Sequence, residues 1–237
     1  MAADNADKTP ADIALIGMAC RFPGANNVRA YWQNICRGFD AVREVPPERW
    51  RTEDFYSEDR LARDRIYSRW GAFLDPVVFD PVKWHIPPAS LRHIEPMQLL
   101  SLEVAWQAMV DAGYHSATPP LRHSATPPLR HSATPPLRHS ATWKERAGVL
   151  FAVPGSHELG AAYCFRTMMR HYLPRVQGLS AEVRERIYAG LEEHLPEWSE
   201  DSFPGFLGNV IAGRIAHAFD LHGPNFTVDA ACAASLA

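Results

Sequence analysis

Cys232 is the residue in this chain best placed to do covalent chemistry. It follows a short β-prone run, FTVDA at 226–230, and sits in a run of small helix formers, ACAASLA at 231–237. A cysteine at a helix N-terminus faces unpaired backbone N–H groups and the positive end of the helix dipole. That placement stabilises the thiolate and lowers its pKa from about 8.5, so a nucleophile is activated without an adjacent base. Ala230, Ala231, Ala233, Ala234 and Ser235 are small and leave room for a substrate. The plainer alternative is a small core cysteine, since free cysteine is among the most buried residue types. Cys20, Cys36 and Cys164 lie at no comparable strand-to-helix junction and are read as structural.

The elements that must position Cys232 are legible as apolar runs and helical periodicities. Residues 12–18 (DIALIGM) and 147–153 (AGVLFAV) read as buried strands, and 226–230 as a short strand into the junction. Residues 28–37 read as a helix with Trp32 and Ile35 inward. The helix at 95–112 has Pro96 in its first turn and Leu99, Leu102 and Trp106 at helical spacing; Gly113 stops it. Two more helices are predicted: 180–195, with Ser180 as cap, and 207–219, with Val210, Ile211, Ile215 and Phe219 on one face. Strands alternating with helices place the chain in the α/β class.

Composition narrows the function. The 237 residues carry 24 basic and 27 acidic side chains, a net charge of −3, which argues against a polybasic nucleic-acid or membrane-surface protein. No apolar run approaches the roughly 20 residues of a membrane-spanning helix. The polar start MAADNADKTP lacks the apolar stretch of a signal peptide. Four cysteines in a chain of this length do not make a disulfide framework. A cytoplasmic location with reduced thiols is the expectation.

Residues 115–138 are three copies of HSATPPLR, and a partial copy runs to Thr142. Paired prolines forbid a helix, and one leucine per copy cannot build a core. The segment 115–142 is expected to be a disordered Pro-rich insertion in a surface loop. PPLR copies are also possible multivalent ligands for a proline-binding module. The histidines His115, His123, His131 and His139, eight apart on such a chain, form no preformed metal site.

The junction VDAACAASL at 228–236 closely resembles the nucleophile motif of β-ketoacyl synthases, Asp-Thr/Ala-Ala-Cys-Ser-Ser-Ser-Leu or similar. Asp229, Ala231, Cys232, Ser235 and Leu236 fit it; Ala233 and Ala234 replace two serines. DIALIGMACRFPGA at 12–25, YWQNICRGFDAVREVPPERW at 31–50, IPPASLRHIEPMQLLSLEVAWQAMVDAGY at 86–114 and NVIAGRIAHAFDLHGPNFTVDAACAASL at 209–236 resemble further family blocks, in order. FPGFLGNVIAGRIA at 203–216 and the AAC form look most like ketosynthases of iterative polyketide and polyunsaturated fatty acid synthases.

The resemblance implies the N-terminal half of a thiolase-like fold, a layered mixed sheet with helices, incomplete here. Residues 1–11 read as a flexible leader, and the resemblance implies one synthase portion at 12–237, interrupted at 115–142 by the repeat loop. The implied reaction is a decarboxylative Claisen condensation. Cys232 takes an acyl group from the phosphopantetheine thiol of an acyl carrier protein, with its own backbone N–H a candidate oxyanion donor. A carrier-bound malonyl-type extender then loses CO₂ and attacks. The intact domain is expected to be a homodimer that binds no nucleic acid, membrane, metal or cofactor directly. Two family histidines that stabilise the enolate match none of the 11 here, and His217 and His222 read either as surface residues or as residues standing behind the site. This chain alone is therefore expected to be inactive in condensation and, with an apolar face of the implied fold left uncovered, prone to aggregate. A non-catalytic fragment or partner-binding scaffold piece, and a thiolase-type acyltransferase, are the alternatives. Retention of Cys232 weighs against the former, and the blocks at 12–25 and 86–114 against the latter.

Overall fold

The computed structural model describes residues 13–114, 143–153, 158–193, 195 and 197–236. The leader and the HSATPPLR insertion lie outside the described residues. The chain divides into two compact units, Met1–Asp75 with Gln107–Tyr114, and Pro76–Trp106 with His115–Ala237.

The first unit holds helix α1 (Val28–Arg37), strand β1 (Val42–Glu44), a short helix α2 (Thr52–Phe55) and strand β2 (Trp70–Ala72). The Asn27 side chain caps α1 by accepting the Ala30 N–H at 2.9 Å. Gly38, at φ 62°, ends it by donating to the Asn34 and Ile35 carbonyls. β1 and β2 pair antiparallel, Val42 opposite Ala72 and Glu44 opposite Trp70. Two expectations fail in this unit. Trp32 and Ile35 are exposed, Trp32 at 63%, because α1 buries no residue against a neighbour. Residues 13–18 form no strand, and Ile13 is 98% exposed. A strand needs a ladder partner for its backbone groups. This run instead meets a helix end: the Met18 N–H donates to the Asp111 carboxylate at 2.8 Å. A Cβ on Gly17 would lie 2.6 Å from the Ala108 carbonyl oxygen, so only glycine permits that approach.

The second unit, which opens at Pro76, takes α3 (Pro96–Asp111) as far as Trp106. It continues with α4 (Trp143–Arg146), β3 (Val149–Ala152), α5 (Glu158–Tyr172), α6 (Ala181–Glu193), α7 (Ser202–Phe206), α8 (Val210–Phe219) and β4 (Asn225–Val228). β3 and β4 pair in parallel, Val149 with Asn225 through Ala152 with Val228. Parallel strands need a long crossover, and α5 to α8 supply it. Gly148 and Gly223 let the strands meet: a Cβ on either would fall 2.5 Å from a carbonyl oxygen, of Pro224 and Ala147 respectively. The Ser180 hydroxyl accepts the Val183 N–H at 3.2 Å, the expected cap of α6.

α8 packs on both strands through Ile211, Ala212, Ile215, Ala216 and Phe219, all buried. Burying an isoleucine or phenylalanine this fully stabilises by roughly 1.5–3 kcal/mol. Phe219 meets Trp84 edge-on at 5.9 Å and stacks on Trp106 at 6.2 Å. β3 departs from the buried strand expected: Val149 is buried, while Leu150 stands 65% exposed. With two strands in the sheet among the described residues, nothing covers that side chain.

Candidate active site at the end of strand β4

Cys232 lies just beyond the carboxyl end of β4. In parallel α/β sheets that end is where ligands bind. The sheet holds until the Val153 N–H donates to the Val228 carbonyl at 3.1 Å. Asp229 and Ala230 then leave it, and Ala231 turns to φ +49°. A left-handed backbone costs an L-residue with a Cβ about 1–2 kcal/mol. The Ala231 N–H donates to Asp229 Oδ1 at 3.0 Å, and the Ala233 N–H to the Ala230 carbonyl at 3.1 Å. A 3₁₀ helix, Ala231–Leu236, begins there with Cys232 as its second residue. A strand followed by a helix occurs as expected, although the strand ends at Val228 rather than at 230, and the sharp turn between them is added by the structure. The helix is 3₁₀ where α was expected, since the i→i+3 bond of Ala233 tightens its first turn. Cys232 is exposed, which excludes the core-cysteine alternative. Ala233 is exposed too, so small neighbours flank the thiol.

The other expected residues fall as follows. His217 and His222 are exposed at the end of α8 and the turn after it, and His222 Nε2 lies 3.3 Å from Asp220 Oδ1. Asp220, at φ +57°, closes α8 and binds Lys144 at 3.4 Å. Burial pulls its carboxyl pKa up, but Lys144 and His222 together outweigh that and leave it below the ordinary value. Cys36 and Cys164 are exposed, so neither is a core cysteine. Cys20 is half-buried, and burial pushes its thiol pKa up.

Sequence reasoning misses the buried polar network that ties the crossover helices together. Glu95 is buried, and its two carboxylate oxygens accept the N–H groups of Glu158 and Leu159 at 2.8 and 2.9 Å, capping α5. Gln98 is 1% exposed. Its Nε2 reaches the carbonyls of Pro204, Gly205 and Leu207 within 3.1 Å, and its Oε1 accepts from Arg214 Nε at 3.0 Å. His93 Nδ1 lies 3.1 Å from the Ser202 hydroxyl. The network ties α3, α7 and α8 together, and α8 leads directly into β4. The available signal is a glutamine amid the helical apolar residues Leu99 and Leu102.

No helix among the described residues is long and apolar enough to cross a membrane. The family described as "Beta-ketoacyl synthase, N-terminal domain" matches residues 11–126 and 175–237. A polyunsaturated fatty acid synthase polypeptide of Thraustochytrium sp. is 28% identical over 99% of this chain. A mycocerosic acid synthase-like polyketide synthase of Mycolicibacterium smegmatis is 48% identical over 30% of it. Among solved structures, the oxazolomycin ketosynthase domain OzmH KS7 of Streptomyces albus JA3453 superposes with a TM-score of 0.60, at 25% identity over 94% of this chain. A ketosynthase from module 6 of the Bacillus subtilis bacillaene synthase gives the same TM-score at 24% identity, likewise over 94% of this chain. The chain spans 8% of the fatty acid synthase polypeptide, 4% of the mycobacterial synthase, 30% of the oxazolomycin ketosynthase chain and 28% of the bacillaene one. With more than half its residues matched and the thiolase-like ketosynthase fold in part reproduced, the chain belongs to the β-ketoacyl synthase family, in its N-terminal domain.

Proposed function

We propose that Cys232 is the acyl acceptor of a β-ketoacyl synthase. The observation that carries this reading is an exposed cysteine on a sharp turn at the carboxyl end of a parallel strand, inside the family match. The Cys232 sulfur attacks a thioester carbonyl, the bond to the departing thiol breaks, and that thiol takes the proton. The acyl group stays on Cys232 as a new thioester. The tetrahedral intermediate carries an oxyanion, which a backbone N–H aimed at it stabilises. The Cys232 N–H is the donor we assign.

The donor substrate is an acyl group on the phosphopantetheine arm of an acyl carrier protein. The later steps, decarboxylation of a carrier-bound malonyl-type extender and enolate attack, are assigned to the assembled, homodimeric synthase in the cytoplasm. The names of the relatives, polyketide and polyunsaturated fatty acid synthases, support this chemistry.

The test is acyl loading of the purified chain. The wild type is incubated with an acyl-N-acetylcysteamine thioester and with acyl-loaded carrier protein, then mapped by peptide mass spectrometry. Acylation confined to Cys232 and lost in Cys232→Ala is expected. Equal acylation of Cys36 and Cys164, which are also exposed, would overturn the reading.

A further inference from the structure

We infer that Asp229 is a positioning residue for the nucleophile, holding Ala231 in the left-handed turn that presents Cys232. The inference rests on the reading of Cys232 as acyl acceptor. Ala231 is a residue with a Cβ at φ +49°, a conformation glycine adopts freely and alanine resists. Such a residue persists only where its surroundings over-determine it. On one side, the sheet fixes the chain as far as Val228, whose carbonyl accepts the Val153 N–H. On the other, the Ala233 N–H to Ala230 carbonyl bond starts the 3₁₀ helix. Between these, the Ala231 N–H is tied by its hydrogen bond to Asp229 Oδ1, at 3.0 Å.

An aspartate reaching the backbone N–H two residues on is a turn-forming arrangement that tolerates left-handed backbone. A carboxylate acceptor makes the bond stronger than a neutral one. Without it, Ala231 is free to relax to negative φ, and the backbone of the next residue, Cys232, turns with it. The thiol would stay exposed, but its N–H and sulfur would lose their shared aim at one carbonyl. Asp229 thus acts through Ala231 and does not itself touch the acyl group.

The experiment separates aim from exposure and from stability. Four full-length chains are compared: wild type, Asp229→Asn, Asp229→Ala, and Asp229→Ala with Ala231→Gly. For each, the rate of Cys232 acylation by an acyl-N-acetylcysteamine thioester, the rate of Cys232 alkylation by iodoacetamide, the thermal midpoint and the amide exchange of Ala233 are measured. Asp229→Ala should slow acylation by roughly tenfold to a hundredfold, with alkylation and the midpoint little changed. Asp229→Asn keeps an acceptor oxygen and should stay near wild type. Glycine at 231 needs no tether, so the double variant should recover acylation. Unchanged acylation in Asp229→Ala, or a fallen midpoint with no recovery in the double variant, would overturn the inference. If the wild type takes no acyl group, the acyl-acceptor reading fails. Ala233 exchange then decides the inference alone: protection lost in Asp229→Ala and regained in the double variant upholds it, and protection unchanged across the four chains overturns it.

Discussion

Of the chain's four cysteines, Cys36, Cys164 and Cys232 are open to solvent and only Cys20 is partly buried. Exposure alone therefore cannot single out Cys232; the turn that presents it must. Acylating and alkylating reagents should give different patterns. Iodoacetamide should label Cys36, Cys164 and Cys232, whereas a thioester should load Cys232. Cys20 should lag in alkylation, because burial disfavours its thiolate and raises its pKa. Its labelling should rise only above the ordinary range of thiol titration, which mass mapping across a pH series checks. Early labelling of Cys20 at neutral pH would contradict its half-buried placement. At this scale the sequence shows the residue types, Asp229, Ala231 and Cys232, and their order. It does not show the positive φ of Ala231, because no property of an alanine side chain calls for that conformation.

The elements are held in register by close approaches and buried polar bonds, and substitutions there should be ranked by what they strand. A Cβ on Gly205 would fall 1.7 Å from the His93 carbonyl oxygen. The Gly205 carbonyl also accepts from the Glu95 N–H and from Gln98 Nε2, both at 2.8 Å. Gly205→Ala must shift backbone on both sides, so it should cost about 3 kcal/mol or more, overpacking plus lost buried bonds. Glu95→Ala removes a cap and should cost about 1–2 kcal/mol. Thermal or urea unfolding that places Glu95→Ala below Gly205→Ala in stability would contradict that ranking. Asp220→Gly is a closer balance. It relieves a left-handed residue, about 1–2 kcal/mol, and loses a partly exposed pair with Lys144, about 0.2–1 kcal/mol. It should be neutral to slightly stabilising at pH 7. Because the Asp220 pKa is lowered on folding, its stabilisation is present above the unfolded carboxylate pKa and is lost as pH falls through the folded value. The variant should lack that acid-side loss in a pH series of unfolding curves. Helices α1, α3, α6 and α8 are legible in the sequence because their caps and apolar stripes are local. α5 is not: its N-terminus is capped by Glu95, 63 residues earlier in the chain. The strand expected at 12–18 fails for the same kind of reason, since apolarity marks a run for burial without naming its partner.

At the scale of the whole molecule, the apolar side chains left in solvent should govern its behaviour. Leu150 and Phe226 are ladder partners on the parallel pair β3–β4, and they stand 65% and 47% exposed. On α5, Phe165, Met168 and Tyr172 are exposed at helical spacing. Neighbouring apolar groups of this size favour association, since burying each stabilises by about 1.5–3 kcal/mol. Strand edges without a ladder partner among the described residues add N–H and C=O groups that invite further pairing. The chain should therefore associate as its concentration rises, and sedimentation velocity over a dilution series reads this directly. Leu150→Lys with Phe226→Lys should shift the distribution toward monomer while moving the unfolding midpoint little, because both side chains already face water. Association unchanged in that variant, with α5 altered by Phe165→Lys and Met168→Lys to opposite effect, would move the seat of assembly from the sheet to the helix. Loss of the midpoint in the sheet variant would mean instead that the two side chains pack within one molecule, against their observed exposure. The same dilution series bears on acyl loading. If loading of Cys232 per chain rises with concentration and falls in the sheet variant, the site is completed by association; if loading is independent of concentration, the turn at Ala231 suffices to present the thiol.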